Sequence, residues 1–177
     1  MRPVSNAAGR HARLRLRPDW SAESVDYVRR VAEGGLCSSA CAFYRVEPGF
    51  LLQGSLRAFL APNNVTRKGP KIMERGEVGW AGGSAGPDFF IYLGAQPAEH
   101  WGHDHTVWAE ARPPHVLTDC YCQNNMLDFL RIVQVADAAS MAVAEKIVQL
   151  PPGPTKPGDM HILPEHVSLA ATTAAAA

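Results

Sequence analysis

Only two stretches of this chain carry helical spacing, and everything around them is short apolar runs cut by glycine and proline. "SAESVDYVRRVAEGG" (21–35) repeats Val25, Val28 and Val31/Ala32, with Ser21 in the N-cap position and Gly34–Gly35 as a stop. "AASMAVAEKIVQL" (138–150) is the second, with Asp137 as its cap and Pro151–Pro152 as its stop. The other runs are too short for helices and rich in β-branched and aromatic residues, so they read as strands. "ARLRLRP" (12–18) alternates apolar and basic residues, as a half-buried strand does. "ACAFYRV" and "GFLLQGSL" flank the turn Pro48–Gly49, "GEVGWAGG" and "DFFIYLG" flank "GSAGP", and "HTVWAEA" and "GDMHILPEHVSLA" follow. Residues 61–76 read as a long loop, and "ATTAAAA" is a tail without assigned structure. Strand, helix, many short strands, helix, strand is the order expected of a mainly β, antiparallel barrel with two helices closing its ends.

A length of 177 residues fits one domain, and 46% hydrophobic with 19% charged residues is ordinary globular composition. Seventeen basic residues balance seventeen acidic ones, which gives no general attraction to nucleic acid or to an anionic membrane. No apolar run approaches the roughly 18 residues of a membrane span. Arg2, Arg10, Arg13, Arg15 and Arg17 precede the first acid, Asp19, in the manner of a transit peptide, but without the apolar stretch of a secretory signal. Cys37, Cys41, Cys120 and Cys122 are too few for a disulfide framework. "CSSAC" bridges Cys37 to Cys41 in an oxidising compartment or keeps two thiols in a reducing one.

Within "AFYRVEPGFLLQGSLR" (42–57), Arg45 and Gln53 interrupt apolar strands. "FYRVEPGFLLQG", "GWAGGSAGPDFFIYLG" and "HDHTVW" occur in order, and together they resemble the cyclophilin-type peptidyl-prolyl cis-trans isomerases. The resemblance runs from about Ala12 to Glu110, resumes over 135–150 and continues weakly to residue 169. It implies a cyclophilin-like, eight-stranded antiparallel barrel capped by two helices. It also implies a groove lined by an Arg, a Pro-Gly-Phe turn, a Gln, a Phe-Phe-Ile strand and a His.

The implied chemistry is rotation about the X–Pro bond, which is nearly balanced between cis and trans but crosses about 18–20 kcal/mol. Amide resonance makes that barrier, so a catalyst needs no nucleophile, metal or proton shuttle. It needs an apolar pocket for the ring and a fixed donor that favours the twisted amide over the planar one. Arg45 suits the second task, because it stays charged and offers a planar fork of donors. On the resemblance, Arg45, Phe50, Gln53, Phe90 and His105 are the catalytic set, and Leu51, Ala81, Gly82 and Trp101 bind substrate. Gln53 holds Arg45 or bonds the peptide backbone. Phe50, Leu51 and Phe90 form the proline pocket, and His105 contacts the backbone or packs on the ring. Ala81 is the small residue of the groove floor.

The chain departs from the family pattern at Leu51 (usually Met), Asp88 (usually Gln), Gly82 (usually Asn) and His100 (usually Trp, here followed by Trp101). The loop 61–75 is also unlike common members. Little sequence precedes residue 12 to form the family's first strand, which would expose a barrel edge. Residues 111–134, 24 in number, interrupt the usual passage from "HTVWAE" to "VADAASMAVAEKIV" and read as an insertion, a surface excursion or translated intronic sequence. The expected domain is therefore 12–169 with that insertion, between flexible ends 1–11 and 170–177. No cofactor or metal is expected: His100, His103 and His105 with Cys120 and Cys122 match no standard zinc spacing, and "GWAGGSAG" lacks a P-loop ending. The expected partners are proline-containing peptides or unfolded chains, not nucleic acid, met by a monomer. The alternative is a non-catalytic module binding the same peptides. The paired cysteines and "GWAGG" resemble secretory-pathway or Golgi forms, and a cytoplasmic location is the other option.

Overall fold

The computed structural model describes residues 14–59, 71–82, 86–111 and 138–169. Several expectations fall outside them: Asp137, Cys120 and Cys122, the ends 1–11 and 170–177, loop residues 61–70, and all of the segment 111–134 except Ala111.

The described strands are β1 (Arg15–Leu16), β2 (Ala42–Glu47), β3 (Leu51–Ser55), β4 (Glu77–Trp80), β5 (Asp88–Tyr92), β6 (Val107–Glu110) and β7 (Ile162–Ser168). Helix α1 (Ala22–Glu33) follows β1, and α2 (Ala138–Val148) precedes β7. All seven strands join one sheet in the order β1-β6-β4-β5-β3-β2-β7, and every pairing is antiparallel. The chain is thus mainly β with two helices, and the described residues supply seven of the eight strands expected.

Alternation along the strands sorts side chains onto two faces. Phe43, Val46, Leu52, Val78, Trp80, Phe89, Ile91 and Trp108 meet Val25, Val28 and Val31 of α1 and Ala144 and Val148 of α2 in the main core. On the opposite face, Leu51, Phe90, Tyr92 and Val107 form a second cluster with Met73 and Ala98, against which Phe50, Ala81 and Trp101 pack.

The termini of the elements refine the sequence reading. Ser21 has the extended backbone of an N-cap, but its hydroxyl donates to Ser24 Oγ at 2.8 Å rather than accepting from a backbone N–H. At the other end, Leu36 N donates to Val31 O at 2.9 Å and Gly35 N to Ala32 O at 3.3 Å, with Gly35 at φ +59°. This is a Schellman stop, and it requires the glycine. Among the described residues of 12–18, strand β1 covers Arg15–Leu16. Pairing extends only through Arg17 N to Trp108 O at 2.8 Å before Pro18 begins a turn. Arg15 and Arg17 both reach Glu110 Oε1, at 3.6 and 3.3 Å.

At Gly54 on β3 the neighbouring β2 leaves no room for a side chain. A Cβ there would lie 2.8 Å from Ala42 O and 2.9 Å from Phe43 Cδ1. Because the nearest atom is backbone, Gly54→Ala is expected to cost about 1–3 kcal/mol, read as a lowered urea midpoint.

Candidate functional site

A β-bulge builds the polar side of the second face. Phe43 pairs with Gly54 and Arg45 with Gln53, so β2 carries one residue more than β3 at this point. Phe43 and Val46 both enter the main core, and Tyr44 and Arg45 between them share the other face. There Arg45 Nη1 donates to Gln53 Oε1 at 3.1 Å, and Gln53 Nε2 donates to Tyr44 OH at 2.8 Å. Both ends of the Gln53 amide are therefore engaged. Gln53 in turn pairs with Phe90 on β5. With strands about 4.8 Å apart, Arg45 and Phe90 stand roughly 10 Å apart on the same face.

The aromatic side starts at the turn. Phe50 N donates to Glu47 O at 2.9 Å and Gly49 takes φ +72°, the type II geometry that suits Pro48 followed by Gly49. The turn releases Phe50 from the strand, and its ring lies 5.3 Å from Trp101 and 6.3 Å from Tyr92 between centroids. Trp101 also meets Phe90 at 5.4 Å and His105 at 5.0 Å, and Phe90 meets His105 edge to face at 4.9 Å. Phe90, Trp101 and His105 thus touch one another, with Leu51 buried beside Phe90. Trp101 closes a short 3-10 turn, Glu99–Trp101, and His100 stacks on Phe50 at 6.4 Å.

His105 Nδ1 lies 3.0 Å from Trp80 O. A carbonyl only accepts, so Nδ1 carries the proton, and in the neutral ring Nε2 is the acceptor. Ala81 follows Trp80, donates its N–H to Asp88 O at 2.9 Å, and packs partly buried against the aromatic cluster. Gly82 takes φ +79°, with nothing within 4 Å of a Cβ built on it.

A second anchor on Arg45 was not anticipated. Its Nε donates to Glu47 Oε1 at 3.0 Å. The same Oε1 accepts the backbone N–H of His161 at 3.1 Å, and His161 Nδ1 lies 2.9 Å from Oε2. Burial works to raise the Glu47 carboxyl, but the His161 N–H, the Arg45 bond and the charges beside it outweigh burial and hold it below its ordinary range. A carboxyl depressed on folding contributes stability that is complete above the ordinary value of 4.5 and disappears as pH falls through the folded value. Glu47→Gln is expected to remove that part of the acid-side decline in stability, measured as the urea midpoint against pH.

All nine residues singled out from the sequence lie among the described ones. The structure gathers Phe50, Leu51, Phe90, Trp101, His105 and Ala81 on one side, Arg45 and Gln53 on the other, and Gly82 beyond Ala81. Glu47, Tyr44, Tyr92 and His161 escaped the sequence reading. The Arg-x-Glu spacing, which puts two residues on one strand face, was the available signal for Glu47. Cys37 and Cys41 are free thiols. Burial pushes Cys41 up to about 12, and a hydrogen bond to Cys37 adds to the effect. Among the described residues no three His, Cys, Asp or Glu side chains converge as metal ligands, and no helix is long and apolar enough to cross a membrane.

No family model and no curated protein sequence matches the chain. Among solved structures it is similar to a cyclophilin-type peptidyl-prolyl cis-trans isomerase of Cryptosporidium parvum determined in the presence of the dipeptide Ala-Pro. That match has 14% identity and TM-score 0.48, covering 89% of this chain and 91% of that one. A further structure of the Cryptosporidium protein matches at 14% identity and TM-score 0.48, over 87% and 88% of the two chains. A cyclophilin of Hirschia baltica matches at 16% identity and TM-score 0.41, over 55% of this chain and 58% of that one. These three structures are of cyclophilins, two of them cyclophilin-type peptidyl-prolyl cis-trans isomerases, the family that the sequence motifs resemble.

Proposed function

We propose that the chain is a peptidyl-prolyl cis-trans isomerase that accelerates rotation about X–Pro bonds in peptides and unfolded proteins. The observation that carries this reading is the placing of a doubly anchored guanidinium on the same sheet face as the Phe90–Trp101–His105 cluster, with Gln53 between them. The proline ring packs on Phe90 and Leu51, beside Trp101 and Phe50. His105 Nε2, the ring nitrogen not turned to Trp80 O, faces the substrate. Arg45 stabilises the prolyl nitrogen as twisting returns its lone pair, an interaction stronger in the transition state than in either planar isomer. Of the motif residues that resemble the family, Arg45, Gln53 and Phe90 form one cross-strand row on this face, which supports the reading.

A second reading is a module that binds Pro-containing segments without turnover. It is favoured by the Glu47 carboxylate, which pairs the Arg45 charge at 3.0 Å. NMR exchange spectroscopy on an Ala-Pro-containing tetrapeptide separates the two. Enhanced cis-trans exchange supports the isomerase. Peptide shifts or broadening from binding, without enhanced exchange, would establish the module.

A further inference from the structure

We infer that Glu47 is a positioning residue for Arg45, held in turn by His161, so that the start of β7 fixes the guanidinium against the sheet face. The inference rests on the isomerase reading for its kinetic consequence, but its geometry stands separately.

An arginine side chain has several free torsions, and a single hydrogen bond leaves its plane able to swivel. Here two different nitrogens are held. Nε is bonded to Glu47 on its own strand, and Nη1 to Gln53 on the neighbouring one. Two anchors on a rigid planar group fix both its position and its tilt. Among the described residues no hydrogen bond from Nη2 accompanies these, which makes Nη2 the donor offered to a bound peptide.

Glu47 would be a poor anchor if it were loose. Its carboxylate is instead fixed through both oxygens. Oε1 takes the His161 N–H, and Oε2 faces His161 Nδ1. His161 is itself tied to β2, because its carbonyl accepts Val46 N at 2.9 Å. The relay therefore runs from the segment entering β7, through Glu47, to Arg45. The ionisable groups facing it are Arg45 on β2 and His161 before β7; Gln53 on β3 is neutral. Glu47 and Arg45 side chains are only 17% and 21% exposed, so the contact is largely shielded from water.

The alternative role for this carboxylate is a brake, neutralising the cation that the reaction uses. The two roles differ in what a neutral acceptor does. Glutamine at 47 keeps an oxygen for Nε and drops the charge, whereas alanine removes both.

The test compares wild type, Glu47→Ala and Glu47→Gln in peptide exchange at varied peptide concentration, with thermal melts to confirm folding. Glu47→Ala is expected to lower kcat on the order of 10- to 100-fold with KM within about 2-fold, as for a misplaced catalytic group. Glu47→Gln is expected to recover most of that loss. A kcat that rises in both variants would overturn the inference in favour of the brake, and an unchanged kcat or a change in KM alone would also overturn it. The Arg45 Nε–H resonance tests the hold directly, even if wild type gives no turnover. It is expected to be slow to exchange in wild type and Glu47→Gln, and averaged with free arginine signals in Glu47→Ala. An Nε–H signal indifferent to Glu47→Ala refutes the anchoring, whereas absent turnover in wild type refutes only the isomerase reading.

Discussion

Arg45→Ala is expected to lower kcat/KM for X–Pro exchange by about 10²–10³-fold, the usual cost of deleting one preorganised donor aimed at developing charge. The fall should lie in kcat more than in KM, because the planar isomers gain little from the guanidinium and the twisted amide gains much. Arg45→Lys should fall between the two proteins. An ammonium keeps the charge but cannot bond Glu47 and Gln53 in one plane while offering a third donor. The fold should survive either change, since Arg45 faces away from the main core. Undiminished exchange in Arg45→Ala would remove the guanidinium from the mechanism and with it the electrostatic account.

The largest loss of stability is expected at Trp108. Its side chain is fully buried where β6 meets the core, 4.9 Å from the Trp80 ring and 6.2 Å from Phe89. Trp108→Ala should cost about 3–5 kcal/mol, through lost burial and the cavity left in a packed interior. Trp108→Phe should cost far less than its lost volume suggests. Among the described residues the Trp108 Nε1 proton meets no acceptor, and phenylalanine removes that unsatisfied donor along with part of the ring. Trp80 provides the contrast, because its Nε1 donates to Ser24 Oγ at 2.8 Å and Trp80→Phe would delete that buried bond, leaving the hydroxyl its bond to Ser21 alone. Urea denaturation of the three variants checks the order. A Trp108→Phe loss as large as that of Trp80→Phe would mean that the Trp108 donor is satisfied.

Much of the architecture could be read directly from residue spacing. Val25, Val28 and Val31 on α1 assign a face by period alone, and that face enters the main core. The aromatic partners were legible as types but not as neighbours. Phe50, Phe90 and Trp101 come from three separated segments: the β3–β5 register sets the first two, and the 3-10 turn Glu99–Trp101 adds the third. The anchoring of Arg45 was half legible. Gln53 follows from the hairpin, whereas His161 is more than a hundred residues away, and no local rule ties it to Glu47. Ser21 shows the opposite failure. A good local signal for a cap was present, yet the Ser21 hydroxyl turns to Ser24 and caps no backbone N–H.

The extra residue at Tyr44 has a consequence for how this face can vary. In a regular strand the side chains count odd and even, and inserting one position would send every later residue to the wrong side. Here the count restarts: Phe43 and Val46 both point inward, although three positions apart, and the surplus residue is absorbed between them. Parity downstream is conserved, so Arg45 and Glu47 keep their side whether or not a residue stands at 44. Tyr44 is thus a removable member of the face. The polar row can be one residue longer or shorter, and its contact with Gln53 present or absent, without reassigning the arginine on which the proposed chemistry depends.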